Sequence, residues 1–115
     1  MDVDGLWTVE GTTPEGWPLS GVMIFLRDQV FGGNDRYYCL GSYRPHGGAI
    51  EIDTHLYHYH GGTHSYLAGE APDFHLHYRG RVMMGAEMIE AEVSRAEYPY
   101  LRYPVTLLRR ALLGI

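Results

Sequence analysis

Val30-Phe31-Gly32-Gly33-Asn34-Asp35-Arg36-Tyr37-Tyr38-Cys39-Leu40-Gly41-Ser42-Tyr43 is the stretch on which the fold turns. Val30 and Phe31 are branched and aromatic, as strands favour. Gly32, Gly33, Asn34 and Asp35 follow, residues that accept positive φ or bond back to their own backbone. Residues 36–43 return as a second, Tyr-rich strand, and Gly41 inside it marks a bulge or a sheet corner. Strand, tight turn and bent strand are what a closing sheet needs.

Outward from this hairpin the same grammar repeats. Residues 5–10 and 20–26 read as strands before it, joined by a Thr/Gly/Pro-rich loop in which Trp17 serves as a lid or edge plug. Arg27-Asp28 turns the second strand into 29–31. After the hairpin, Pro45, Gly47 and Gly48 lead into 49–59. There Ile50, Ile52, Thr54 and Leu56 share one face and Glu51, Asp53 and His55 the other, the period of a half-buried antiparallel strand. A short strand at 64–68 and one from 73 to 82 follow. A four-residue loop at 82–85 sets Tyr78 opposite Ile89, Leu76 opposite Ala91 and Phe74 opposite Val93. The other face of that hairpin then pairs His77 with Glu90 and His75 with Glu92. Residues 95–102 read as a Tyr-rich connection broken by Pro99. Residues 104–113 are open to a strand or a helix; the strand is preferred because it closes the sheet on its first strand and removes both edges.

The expected fold is therefore a single all-β domain over residues 1–115: an antiparallel, largely up-and-down barrel of about eight strands, of calycin or lipocalin type. The 115-residue length suits one domain with one modest core, and 15 Gly with 10 Tyr suit a turn-rich β protein. The inward set is Trp7, Val22, Ile24, Leu26, Ile50, Ile52, Leu56, Phe74, Leu76, Tyr78, Ile89 and Val93. If Val22, Ile24 and Leu26 face in, Met23 and Phe25 face out. In the strand that begins and ends with Arg36 and Arg44, the even positions face out, exposing Tyr38 and Leu40. Met23, Phe25, Tyr38 and Leu40 thus form the expected surface of a two-fold homodimer.

Four pieces of sequence in order carry a resemblance: Gly5-Leu6-Trp7-Thr8-Val9; Ser20-Gly21-Val22-Met23-Ile24-Phe25; the Val30–Asp35 run with Tyr37-Tyr38 and Gly41-Ser42-Tyr43; and His64-Ser65-Tyr66-Leu67-Ala68-Gly69 leading into Phe74-His75-Leu76-His77-Tyr78-Arg79-Gly80. In these the chain resembles the GrlR-like family, small barrels named after a negative regulator of a bacterial type III secretion locus. The resemblance implies a calycin-like barrel, a homodimer and a non-enzymatic role in regulation through protein–protein contact. The namesake's acidic Glu-Asp-Glu-Asp motif has no counterpart, since no two acidic residues are adjacent in this chain, so its particular partner is not carried over.

Composition and motifs narrow the function. The net charge of −5 disfavours a general nucleic-acid binder, although Arg95, Arg102, Arg109 and Arg110 make the C-terminal segment locally basic. Cys39 is the only cysteine, so no internal disulfide forms. The start carries two Asp and no apolar signal region, and the longest apolar run, 22–26, is too short for a membrane span; the expected setting is the cytoplasm. His55, His58, His60 and His64 crowd one stretch, and His58-Xaa-His60 is the weak metal-ligand candidate of a cupin-like enzyme. It lacks the Glu and second His motif such a site uses, so the set reads as a polar rim with no metal and no cofactor. No nucleophile elbow, phosphate loop or Cys-His-Asn set is present. The inward set carries no general base suited to neutral pH, which argues against an enzyme. It allows a fatty-acid-like ligand inside as the alternative to a protein partner outside.

Overall fold

The computed structural model describes residues 2–12, 18–61 and 73–113. Eight strands follow one another: β1 (Gly5–Thr12), β2 (Pro18–Leu26), β3 (Gln29–Gly33), β4 (Tyr37–His46), β5 (Ala49–His58), β6 (Asp73–Met83), β7 (Met88–Arg95) and β8 (Tyr98–Ala111). Each pairs antiparallel with its neighbours in sequence, and β8 returns to pair with β1, so the sheet is a closed up-and-down barrel. The final segment is a strand, as expected from the need to remove the sheet's edges. The expected strand at 64–68 and the expected lid Trp17 lie outside the described residues.

Local chemistry builds the hairpins. Arg27 (φ 50°) and Asp28 (φ 70°) form a two-residue turn closed by Leu26 opposite Gln29, the left-handed geometry whose twist matches the flanking strands. The β3–β4 turn is held by Asn34, whose Oδ1 accepts the backbone N–H of Arg36 and of Tyr37 at 2.9 Å each. Gly33, at φ 152°, supplies the backbone freedom this turn needs. Gly41 meets the second demand: a Cβ there would sit 1.9 Å from the Asp53 carbonyl oxygen, so β4 and β5 approach only because the side chain is absent.

The core fills the barrel. Trp7, Phe25, Val30, Tyr37, Ile50, Ile52, Phe74, Ile89, Val93 and Leu107 are all essentially buried. Their rings touch in series: Trp7 meets Phe25 at 5.7 Å, Phe25 meets Tyr43 at 5.1 Å, and Tyr37 meets Phe74 at 5.3 Å, in the edge and tilted arrangements aromatic quadrupoles favour. Leu76 and Tyr78 also point in, and Leu56 packs half-buried against this core. Burial raises the Tyr78 hydroxyl pKa above the ordinary tyrosine value.

Three expectations are corrected. In β2 the faces are reversed: Met23 and Phe25 are buried, and Val22, 45% exposed, lies outside with Ile24 and Leu26. The reason is pairing. Met23 stands opposite Trp7 and Phe25 opposite Gly5, and directly opposed residues share a face, so the inward Trp7 draws Met23 and Phe25 inward with it. In the β6–β7 hairpin the turn is Met84–Glu87, with Met83 opposite Met88. Tyr78 therefore faces Val93, Gly80 faces Ala91, and His77 faces Ser94, while Glu92 and Glu90 face Arg79 and Arg81. Each β6 residue meets a partner four positions further along β7 than expected, an even shift that leaves every side chain on its predicted face. Finally, β8 starts at Tyr98, and Pro99, Tyr100 and Leu101 bulge out between the Arg95–Tyr98 and Ser94–Arg102 pairs. A proline is tolerated at such a bulge because no ladder donor is required there.

The two ends of the barrel differ. One carries the turns at 27–28, 47–48 and 84–87 together with the ends of β1 and β8. Val3, 1% exposed, plugs it, and its carbonyl accepts the Trp7 indole N–H at 2.8 Å. Arg109 lies over Trp7 at 5.5 Å and donates to the Asp2 and Asp4 carbonyls at 3.2 and 3.0 Å. Tyr43 donates its hydroxyl to Asp4 Oδ1 at 2.5 Å. The opposite end carries the β3–β4 turn at 34–36.

Candidate interaction surface

The outer side of the barrel is divided between apolar and charged chemistry. Pairing registers place Ile24, Phe31, Leu40, His55 and His75 in one outward row across β2–β6. The next row runs Val22, Gly33, Tyr38, Tyr57 and Asp73. Phe31, Tyr38 and Leu40 are 37–47% exposed. Tyr38 and Leu40 thus face outward as the sequence predicts. Met23 and Phe25 do not; Val22, Ile24 and Phe31 occupy that surface instead. The sequence signal for this was the unbroken apolar run of β2, which gives both of its faces apolar side chains although only one can enter the core.

An aromatic series crosses the same surface. Tyr59 lies 6.2 Å from Tyr38, Tyr38 stacks on Tyr57 at 5.2 Å and 21°, Tyr57 stacks on His55 at 4.1 Å and 8°, and His55 packs on His75 at 4.1 Å. The buried His55 Nε2 has no hydrogen-bond partner; Asp73 Oδ1 is 3.6 Å away. Beyond this series the charged half begins. Glu51 is reached by Arg44 at 3.2 Å, Arg79 at 3.5 Å, His77 at 3.7 Å and His46 at 3.8 Å. His77 Nδ1 also lies 2.6 Å from Asp53 Oδ1. The expected His75–Glu92 and His77–Glu90 pairs are not formed, because the register sets Glu92 and Glu90 opposite Arg79 and Arg81; His77 takes its acids from β5 instead. Exposed pairs of this kind add little stability individually.

The histidine cluster does not converge. His58 Nε2 lies 2.8 Å from the Gly61 carbonyl oxygen, with its ring against Tyr37 at 5.5 Å, while His60 is exposed beside Tyr59. His64 is outside the described residues. Among the described residues no group of three or more His, Cys, Asp or Glu side chains is arranged to hold a metal ion. Cys39 points into the barrel, and burial pushes its thiol up to about 11, which suppresses the reactive thiolate.

At the end of β3 the outer wall is notched. An open cavity of ≈ 840 Å³ is lined by Ser20, Gly21 and Val22 of β2, Gly32 and Gly33 of β3, Asn34 and Asp35 of the turn, Tyr37 and Tyr38 of β4, and Tyr59. Its size falls within the range of ligand clefts. Tyr59 donates its hydroxyl to the Asn34 carbonyl at 2.6 Å and so braces the turn. Burial raises the Tyr37 hydroxyl pKa, an effect the neighbouring Arg36 charge partly offsets.

These features define an eight-stranded closed antiparallel barrel of calycin-like form with a packed interior and an apolar outer face. No protein-family model matches the chain, and no curated protein is found similar to it. Among the described residues no helix is long and apolar enough to cross a membrane.

Proposed function

We propose that this barrel is a non-enzymatic binding protein that acts through protein–protein contact, with a second copy of itself as its first partner. The observation that carries this reading is the outward apolar group of Val22, Ile24, Phe31, Tyr38 and Leu40 on adjacent strands. Monomers rarely expose contiguous apolar surface beyond a few hundred Å². Because the sheet is closed, two barrels meet face to face rather than by joining strand edges, and a two-fold arrangement sets the same patch on itself. The resemblance to the GrlR-like family supports the homodimer and adds a regulatory role, exerted on another protein.

The test is sedimentation of the full chain. A dimer at micromolar concentration is expected, and Leu40→Glu with Phe31→Glu converts it to a folded monomer. A wild-type monomer at that concentration refutes the self-association. A second reading, a carrier of a fatty-acid-like molecule, is favoured by the largely apolar interior and opposed by the ring contacts that fill it. Mass spectrometry of denatured protein and a fatty-acid probe decide between the two. The metal-enzyme reading draws no support from His58 or His60, whose rings turn to Gly61 and to solvent.

A further inference from the structure

At the notch beside β3 one strand runs on past the end of its neighbour. β3 ends at Gly33, opposite Val22, whereas β2 continues back through Gly21, Ser20 and Leu19 to Pro18, paired there with β1 alone. Backbone groups alternate sides along a strand, so part of this segment directs its N–H and C=O groups toward the notch. The turn that crosses the gap offers them little. The Asn34 N–H donates to the Tyr37 carbonyl, its Oδ1 accepts two backbone amides, and its carbonyl accepts the Tyr59 hydroxyl. The floor is glycine backbone, and the walls are Val22, Tyr38 and Tyr59. At the rim the exposed Asp35 carboxylate has no ion pair or hydrogen bond among the described residues.

We propose that this notch docks an extended, arginine-bearing segment of a partner protein as a short added strand beside β2. The inference rests on the reading of the barrel as a binding protein but not on its self-association. Strand addition draws its affinity from main-chain hydrogen bonds and its specificity from alternate side chains, and beyond Val22 the β2 segment 18–21 has no β3 partner among the described residues. The side chain fitted to the walls is cationic and planar: a guanidinium stacks on tyrosine faces and reaches a carboxylate at the same rim. The acidic net charge of −5 favours the encounter with a basic segment.

The test uses the full chain and a labelled, end-capped peptide, Gly-Val-Arg-Val-Tyr-Val-Gly, followed by fluorescence anisotropy and by amide NMR. The expected result is saturable binding with shifts at Ser20, Gly21 and Gly33. The same peptide with Glu in place of Arg should bind roughly tenfold or more weakly, as expected when one charge-assisted contact is exchanged for repulsion. Peptide methylated at alternate backbone amides should not bind. Asp35→Asn, at an exposed turn position, should weaken the Arg peptide and strengthen the Glu peptide, so that the difference between them narrows. Equal binding of both peptides, shifts confined to another face, or no shift because other residues of the chain already fill the notch would each overturn the proposal, as would binding of a neutral saccharide at the same amides in place of the peptide. Leu40→Glu separates the two ideas: peptide binding retained in that variant upholds the notch whether or not the barrel self-associates, and loss of peptide binding in a folded variant refutes it as an independent site.

Discussion

Replacing Phe25 by Ala tests the orientation of β2 and with it which residues are left for the outer face. Phe25 is wholly buried, in ring contact with Trp7 at 5.7 Å and Tyr43 at 5.1 Å, opposite a glycine that contributes no side chain to refill the space. Truncating a buried Phe costs about 3–5 kcal/mol, the transfer free energy plus the cavity left behind. The upper half applies here, because two ring contacts of ~0.5–1.5 kcal/mol each are lost as well and Gly5 cannot lean in. A domain of this size holds only about 5–15 kcal/mol in total. At ~4 °C or more per kcal/mol, the melting temperature should fall by roughly 15 °C or more. Val22→Ala is the control: Val22 is 45% exposed, and the change should stay near ±0.5 kcal/mol. Urea unfolding followed by circular dichroism gives both values at constant m. A Val22→Ala cost equal to that of Phe25→Ala would refute the inward assignment of Met23 and Phe25, and with it the composition of the outer patch.

Two further outcomes follow from the closed end and the interior. Arg109→Met removes a guanidinium whose side chain is 9% exposed, together with its bonds to the Asp2 and Asp4 carbonyls and its stacking on Trp7. Water replaces the exposed bond to Asp2, so the cost should be about 2 kcal/mol, with faster amide exchange at Val3 and Asp4; unchanged exchange there would show that the plug holds without it. Burial, first of all, raises the pKa values of Tyr37, Tyr43 and Tyr78, and for Tyr43 the hydrogen bond to Asp4 adds to it. The folded state thus holds these protons more tightly than the unfolded state. The resulting stability is fully present below the unfolded value of 10.0 and is lost as pH rises from there through the folded values. Tyrosinate absorbance should lag in folded protein, and unfolding should steepen above that pH; full ionisation of all tyrosines without loss of structure would contradict the burial.

The fold was legible because its signals are redundant and local. Asn34 returning to two amides, the positive φ at Gly33 and the alternation of Ile50, Ile52 and Thr54 each follow from residue chemistry. What failed was of a different kind. In β6–β7 the alternating pattern fixes only the parity of the register, so a shift by four along the partner strand is invisible to it. The deciding information was that Met84, Gly85 and Ala86 all adopt positive φ, which neither Met nor Ala advertises. In β2 the pattern failed because both faces are apolar, and only the partner strand, through Trp7 opposite Met23, shows which one enters the core.

That second failure bears on function. A strand of a closed barrel has one face in the core and one in solvent, so apolar residues on both faces are more than the fold itself requires. In β5 the rule is obeyed: Glu51, Asp53 and His55 cover the outside. In β2–β4 it is broken at Val22, Ile24, Phe31, Tyr38 and Leu40 at once, on neighbouring strands and in register. Scattered exposed apolar residues need no explanation, but two aligned rows of them beside a notch of bare glycine backbone point to something that covers them. Interior packing cannot supply that reason, because the ring contacts from Trp7 through Phe25 to Tyr43 already occupy the inside. The chemistry this chain offers a partner therefore lies on its outer wall, and replacing Phe31 and Leu40 with acidic residues should abolish association while leaving the melting temperature unchanged to within a few degrees. A collapse of the fold in that double variant would mean that these residues belong to the core after all.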